Sequence, residues 1–209
     1  MERMNRRDFI KVTGLAGGAL FFGIDGGKAM PETKGSVAFV KTENRKDGIK
    51  SLMKSLKTNP VKGKEVLIKP NFNTADLFPG STHNDTLTAL VEEIWEMGAK
   101  SISLGERSYP PTQEVMEEKG ILPSMKKLNV NVINFDHLDE KDWVLFEPKK
   151  SHWAKGFRIA RPILDAECLI STCCLKTPQY GGVFPMPLQL HVGVVPTSRH
   201  GYDYMRELH

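Results

Sequence analysis

Apolar residues recur along this chain in two alternating rhythms. Short β-prone runs read as strands: Ser36 to Lys41, Glu65 to Lys69, Ser101 to Leu104 and Val130 to Phe135. Phe157 to Ala160 and Cys168 to Thr172 continue the series, the last apolar enough for a central position in a sheet. Between them lie segments with helical spacing. Arg45 to Leu56 places Ile49, Leu52, Met53 and Leu56 on one stripe, with Asn44 as its expected cap. Asp85 to Met97 does the same with Leu87, Leu90, Val91, Ile94 and Trp95, and Gly98 ends it. Pro70 closes the second strand, and Pro111 opens a further helical stretch.

Strand and helix in alternation predict an α/β fold: a three-layer sandwich around a mostly parallel sheet. The last residues, Gly201 to His209, read as the start of a helix with no closing strand. The chain is therefore expected to end before the fold is complete.

Composition adds exclusions. With 40% hydrophobic and 26% charged residues, the 209-residue chain is built to bury a core rather than to stay disordered. The formal charge of +4 is small, and residues 1 to 29 supply +2 of it, so no nucleic-acid partner is expected. Few, scattered aromatic residues also argue against a base-stacking surface.

The N-terminus carries its own pattern. Asn5-Arg6-Arg7-Asp8-Phe9-Ile10-Lys11 precedes a weakly apolar run from Val12 to Ile24, then Gly27-Lys28-Ala29. A basic start, a short apolar run and small residues describe an export signal, and Arg6, Arg7, Phe9 and Lys11 match the twin-arginine type. The expectation is a signal over 1–29, an α/β domain over 30–209, and a periplasmic protein whose first partner is the twin-arginine translocation machinery. The apolar run is too short for a stable transmembrane helix. That route carries proteins already folded, often with a cofactor or partner acquired beforehand, and it identifies neither.

In open α/β sheets, ligands sit beyond the carboxyl ends of the strands. Three loops here qualify: Lys69-Pro70-Asn71 running on to Thr82-His83, Gly105-Glu106-Arg107-Ser108, and Thr172 to Lys176 continuing to Gly181-Gly182. Lys69 and Lys176 are expected to meet over one pocket and hold an anion, with Asn71 and Thr82 orienting it. Glu106 is the candidate base or metal ligand, and Gly181 and Gly182 would let backbone amides approach a phosphate or carboxylate. No phosphate-loop or dinucleotide fingerprint is present.

The six histidines include no zinc-protease pair, though His191 and His200 flank Gly193. Cys168, Cys173 and Cys174 are too few for a four-cysteine cluster and read first as small buried thiols. In an exported protein Cys168 is placed to oxidise with Cys173 or Cys174. A nucleophilic role for one of them needs a histidine close in space.

Val66 to Asn71, Thr82-His83, Leu87 to Lys100, Gly105-Glu106, and Ile163 to Thr177 followed by Gly181-Gly182 and Gly193 together resemble a bacterial and archaeal family. It is the domain of unknown function family numbered 362. The likeness runs from about Ser36 to the end. It implies the fold and frequent company with a twin-arginine signal or an iron–sulfur domain, hence association with a metal or iron–sulfur partner. The layout also resembles the nickel-pincer lactate racemases, which implies a metal-cofactor racemase or isomerase as a rival to simple ligand binding.

Pro178 stands where the family usually has His, and Pro185 and Gln189 where Thr and Lys are common. The leading expectation is an exported protein binding an anionic ligand or cofactor at the strand ends. Besides the racemase-like enzyme, two rivals stand against it: a non-catalytic redox-partner subunit exported with a cofactor-bearing companion, and an inactive truncated remnant.

Overall fold

The computed structural model describes residues 37–56, 58–147, 156–177 and 190–196. Arg6, Arg7, Phe9, Lys11, Pro178, Gly181 and Gly182 lie outside the described residues. The chain divides into two units, Met1–Phe39 and Val40–His209, and the second carries every element described below.

Helix α1 spans Arg45–Ser55 and begins as its sequence dictates: the Asn44 side chain accepts the Asp47 N–H at 3.2 Å. Strand β1 (Glu65–Pro70) leads into α2 (Asn84–Glu96), which His83 caps by accepting the Asp85 N–H on Nδ1. Gly98, with φ +86°, takes the left-handed turn past the end of α2 that a side chain would resist. Then come β2 (Ser101–Glu106), α3 (Thr112–Glu118), α4 (Leu122–Lys127) and β3 (Asn131–Asn134). Strands β4 (Trp143–Phe146) and β5 (Phe157–Ala160), helix α5 (Arg161–Asp165) and strand β6 (Cys168–Thr172) follow. Of the described 3₁₀ turns, Phe135–His137 and Glu140–Asp142 lie between β3 and β4, and His191–Val194 is the last described element.

The four strands β3-β2-β1-β6 form one parallel sheet in that order, so the expected α/β architecture holds. Period-two alternation assigns its faces. Val66, Ile68, Ile102 and Leu104 point into a core shared with Leu87, Val91 and Ile94 of α2, Val115 and Met116 of α3, and Met125 of α4. On the opposite face, Ile133 of β3 packs on a second cluster of Phe135, Trp143 and Ala160. Strand β1, paired on both edges, is buried at every residue after Glu65, as a strand covered on both faces must be.

Three expectations need correction. The described part of the first predicted strand, residues 37–41, is not a strand, and Val37 and Phe39 are exposed. Strand propensity is a preference for a half-buried pleated surface, and these exposed side chains do not have one. Among the described residues strand β6 is not central but an edge strand, opposite β3, and Leu169 is exposed. Finally, Phe157–Ala160 leaves the main sheet and pairs antiparallel with β4, with the Phe146 and Phe157 rings stacked at 5.8 Å.

Candidate functional site

The parallel strands deliver their carboxyl ends to one edge, and there the chain buries charge. Lys69, near the end of β1, and Glu106, the last residue of β2, are each 1% exposed. Glu106 Oε1 accepts from Lys69 Nζ and, at 2.8 Å, from the Arg107 N–H. Its Oε2 accepts the Phe72 N–H at 3.0 Å. Lys69 Nζ also donates to the Pro70 carbonyl at 2.9 Å. Burial pushes the Lys69 ammonium down and the Glu106 carboxyl up, against their mutual attraction and the two backbone donors. The sequence pattern aims the Lys69 charge at a ligand; in the fold it is directed at Glu106.

The 3₁₀ turn His191–Val194 covers this pair. A Cβ on Gly193 would stand 2.9 Å from Glu106 Oε1 and from Lys69 Nζ. The turn is held by Arg107, which donates to the Val192 carbonyl, and by contact of His191 Nε2 with Ser171 Oγ at 3.3 Å.

A second set of bonds joins the β1 loop to α2 and β6. Thr82 donates its N–H to the Asn71 carbonyl at 2.9 Å, and its Oγ1 accepts the Asn71 N–H at 3.0 Å. The same hydroxyl donates to the Thr172 carbonyl at 2.9 Å. Thr82 is thus a cross-link between three segments, buried to 4% exposure.

Beyond the end of β6 lies a third group. The Cys174 thiol is buried, and Asn71, Lys176 and Lys119 act on its proton affinity. Burial pushes the thiol up, and these three neighbours pull it back. Lys119 follows α3, donates to Ser81 Oγ at 2.6 Å and stands 4.7 Å over the Phe72 ring. Burial lowers its ammonium, while Cys174 and Asp76 act in the opposite sense.

Of the predicted residues, the fold brings Lys69, Glu106, Asn71 and Thr82 to the carboxyl edge, while the charge of Lys176 acts on Cys174 and is not among those acting on Lys69. Sequence reasoning does not mark Lys119, Cys174 and Gly193 as partners in a site, because helical and loop positions that meet only in space leave no spacing signal. The proposed cysteine pairing fails on geometry. Strand β6 starts at Cys168 and ends before Cys173, so about 13 Å of strand separates them, well past the ~7 Å that a disulfide bridges. All three are free thiols. Among the described residues no three His, Cys, Asp or Glu side chains gather as a metal site, and no helix is long and apolar enough to cross a membrane.

The family model for the domain of unknown function DUF362 matches residues 66–207, which takes in all four strands of the main sheet and the whole carboxyl edge. The chain belongs to the DUF362 family. No curated protein and no solved structure matches it. Every side chain of the described site therefore falls within the DUF362 domain, whereas α1 and residues 37–41 precede it.

Proposed function

We propose that this DUF362 protein is exported, folded, by the twin-arginine route and holds an anionic ligand or cofactor at the carboxyl edge of its sheet. The observation that carries the reading is the charge around Cys174. Lys69 is neutralised within the pair it makes with Glu106. Lys119 and Lys176, both half-buried, each act as a positive charge on Cys174, and among the described residues Asp76 is the carboxylate that acts on Lys119. Positive charge gathered in a partly desolvated hollow attracts an anion far better than the same charge on an open surface. The position suits it, since strand ends in parallel sheets are where ligands bind.

The test is native intact-mass measurement on protein recovered from the periplasm of an expressing cell. The expected result is a chain cut near Ala29 that carries added non-covalent mass, lost in the Lys119→Met and Lys176→Met variants. A processed chain with no added mass would sink the ligand, and an unprocessed cytoplasmic chain would sink the export.

A further inference from the structure

From the way it is attached, we infer that the turn His191–Val194 is a strap that lifts from the Lys69–Glu106 pair while the sheet beneath stays folded. Strand β1, which carries Lys69, lies between β2 and β6. The strap is tied to both neighbours. On the β2 side Arg107, the residue after Glu106, donates to the Val192 carbonyl. On the β6 side Ser171, which stands opposite Lys69 in the ladder, meets His191 Nε2 at 3.3 Å. Between these ties Gly193 passes over the pair, closer than a residue with a Cβ could come. The turn thus crosses the carboxyl end of β1 from one flanking strand to the other.

Two physical reasons make the closed state lightly held. A four-residue 3₁₀ turn has poor internal hydrogen bonds and no ladder to keep it in place. Val194 is buried, yet among the described residues the turn enters neither apolar cluster. The second reason lies underneath. Closing the turn takes an ammonium and a carboxylate out of water, and that desolvation offsets much of what their attraction returns. Opening gives the hydration back. A cover over apolar side chains would have no such return, because opening it would forfeit their burial. The sheet below is held differently: β1 is paired on both edges and its side chains run into the main core, so it opens at the cost of global unfolding.

Lifting the strap uncovers the pair at the edge where ligands reach parallel sheets. Lys69 and Glu106 then offer a donor and an acceptor side by side to a polar ligand that the closed turn shuts out. The device goes beyond the anion-binding reading above and does not depend on it, since none of its parts is Cys174, Lys119 or Lys176.

The test is acetylation of the full-length folded protein by an N-hydroxysuccinimide acetate ester, each lysine being followed by site-resolved mass spectrometry in urea concentrations below the unfolding transition. Hydrogen exchange at the Ile68 amide, in β1, reports global opening under the same conditions. Lys69 should acetylate more slowly than the exposed Lys100. Its rate should stay flat over the urea range in which Ile68 exchange rises steeply, because lifting a short turn exposes little new surface. Ser171→Ala removes the tie on β6 and should quicken Lys69 acetylation about two- to tenfold, the equivalent of one hydrogen bond, with a smaller change at Ile68. No acetylation of Lys69 below the transition, or a rate that climbs with urea in step with Ile68, would overturn the strap by showing that only unfolding uncovers the pair. A Ser171→Ala rate equal to that of the wild type would overturn the tie to β6, and with it a strap that spans β1.

Discussion

Gly193 lies directly against the buried Lys69–Glu106 pair: a Cβ there would sit 2.9 Å from the carboxylate oxygen and from the ammonium nitrogen. Both atoms are fixed by other bonds and cannot swing aside as a free chain end would. Gly193→Ala should therefore destabilise the fold by roughly 1–3 kcal/mol, the usual cost of overpacking. Chemical denaturation of the variant checks this. An unchanged midpoint would mean that the 3₁₀ turn does not seat on the pair in solution.

The pair itself should show strong coupling. Lys69→Met leaves a carboxylate buried without its counter-charge, at a cost of roughly 3–5 kcal/mol. Replacing both partners, as Lys69→Met with Glu106→Leu, removes both charges and should recover more than half of that loss, although the Phe72 and Arg107 amides lose their acceptor. A double-mutant cycle of denaturation energies measures the coupling. Additive losses would rule it out.

The same pair predicts a pH profile. The Glu106 carboxyl is raised by burial, so the folded chain keeps a proton that the unfolded chain has released. That contribution is full below the ordinary carboxyl value and is lost as pH rises through the folded one. Lys69 is lowered by burial, so its contribution is full above the ordinary ammonium value and is lost as pH falls through the folded one. Relative to the doubly apolar variant, the wild type should thus be least stable near neutrality and gain toward both extremes. Denaturation midpoints of the two proteins at about pH 4, 7 and 10 decide the matter. A relative maximum at neutral pH would show that mutual attraction outweighs burial.

Thr82→Val should loosen the β1 loop from β6. The substitution keeps the shape and removes one hydroxyl that serves both the Asn71 amide and the Thr172 carbonyl. Each partner is left part-buried and unmatched, so a loss of about 1–3 kcal/mol is expected. Hydrogen exchange at the Asn71 amide is the direct readout, and it should quicken more than exchange at core amides of β1. Uniform acceleration throughout the strand would point to global destabilisation instead.

Much of this architecture is written locally. The apolar stripe of α2, the Asn44 cap and the glycine stop at Gly98 are decided within a few residues, so pattern reading finds them. Strand position is not local. Cys168 to Thr172 has the composition of a central strand, yet whether a second neighbour arrives depends on the rest of the chain. Val37 to Lys41 has strand composition yet is not a strand among the described residues. The site divides the same way. Lys69 and Glu106 were legible as charged residues at strand ends, since the strand-end rule needs only topology. Their pairing follows from β1 and β2 being neighbours, which single-chain spacing does not encode. Gly193 and Lys119 enter from distant segments and carry no sequence mark of doing so.

Gly105 offers the last test, on the face of the sheet away from α2, α3 and α4. A Cβ there would come within 2.5 Å of Phe135 Cζ, 2.8 Å of Phe135 Cε1 and 3.3 Å of Leu67 Cδ1. Phe135 is fully buried and anchors the second apolar cluster, so its ring has little room to move. Gly105→Ala should cost roughly 1–3 kcal/mol by overpacking, and because Glu106 is the next residue, the shift would reach the ion pair. Phe135→Leu alone should destabilise too, by opening space where the ring tip was. Combined, the two changes should compensate: the methyl at 105 fills part of the room the ring vacates, and the double variant should be more stable than the sum of the single losses predicts. Denaturation of the four proteins measures that difference. Strict additivity would show that residue 105 and the Phe135 ring do not touch, and would place the second cluster elsewhere than on this face of the sheet.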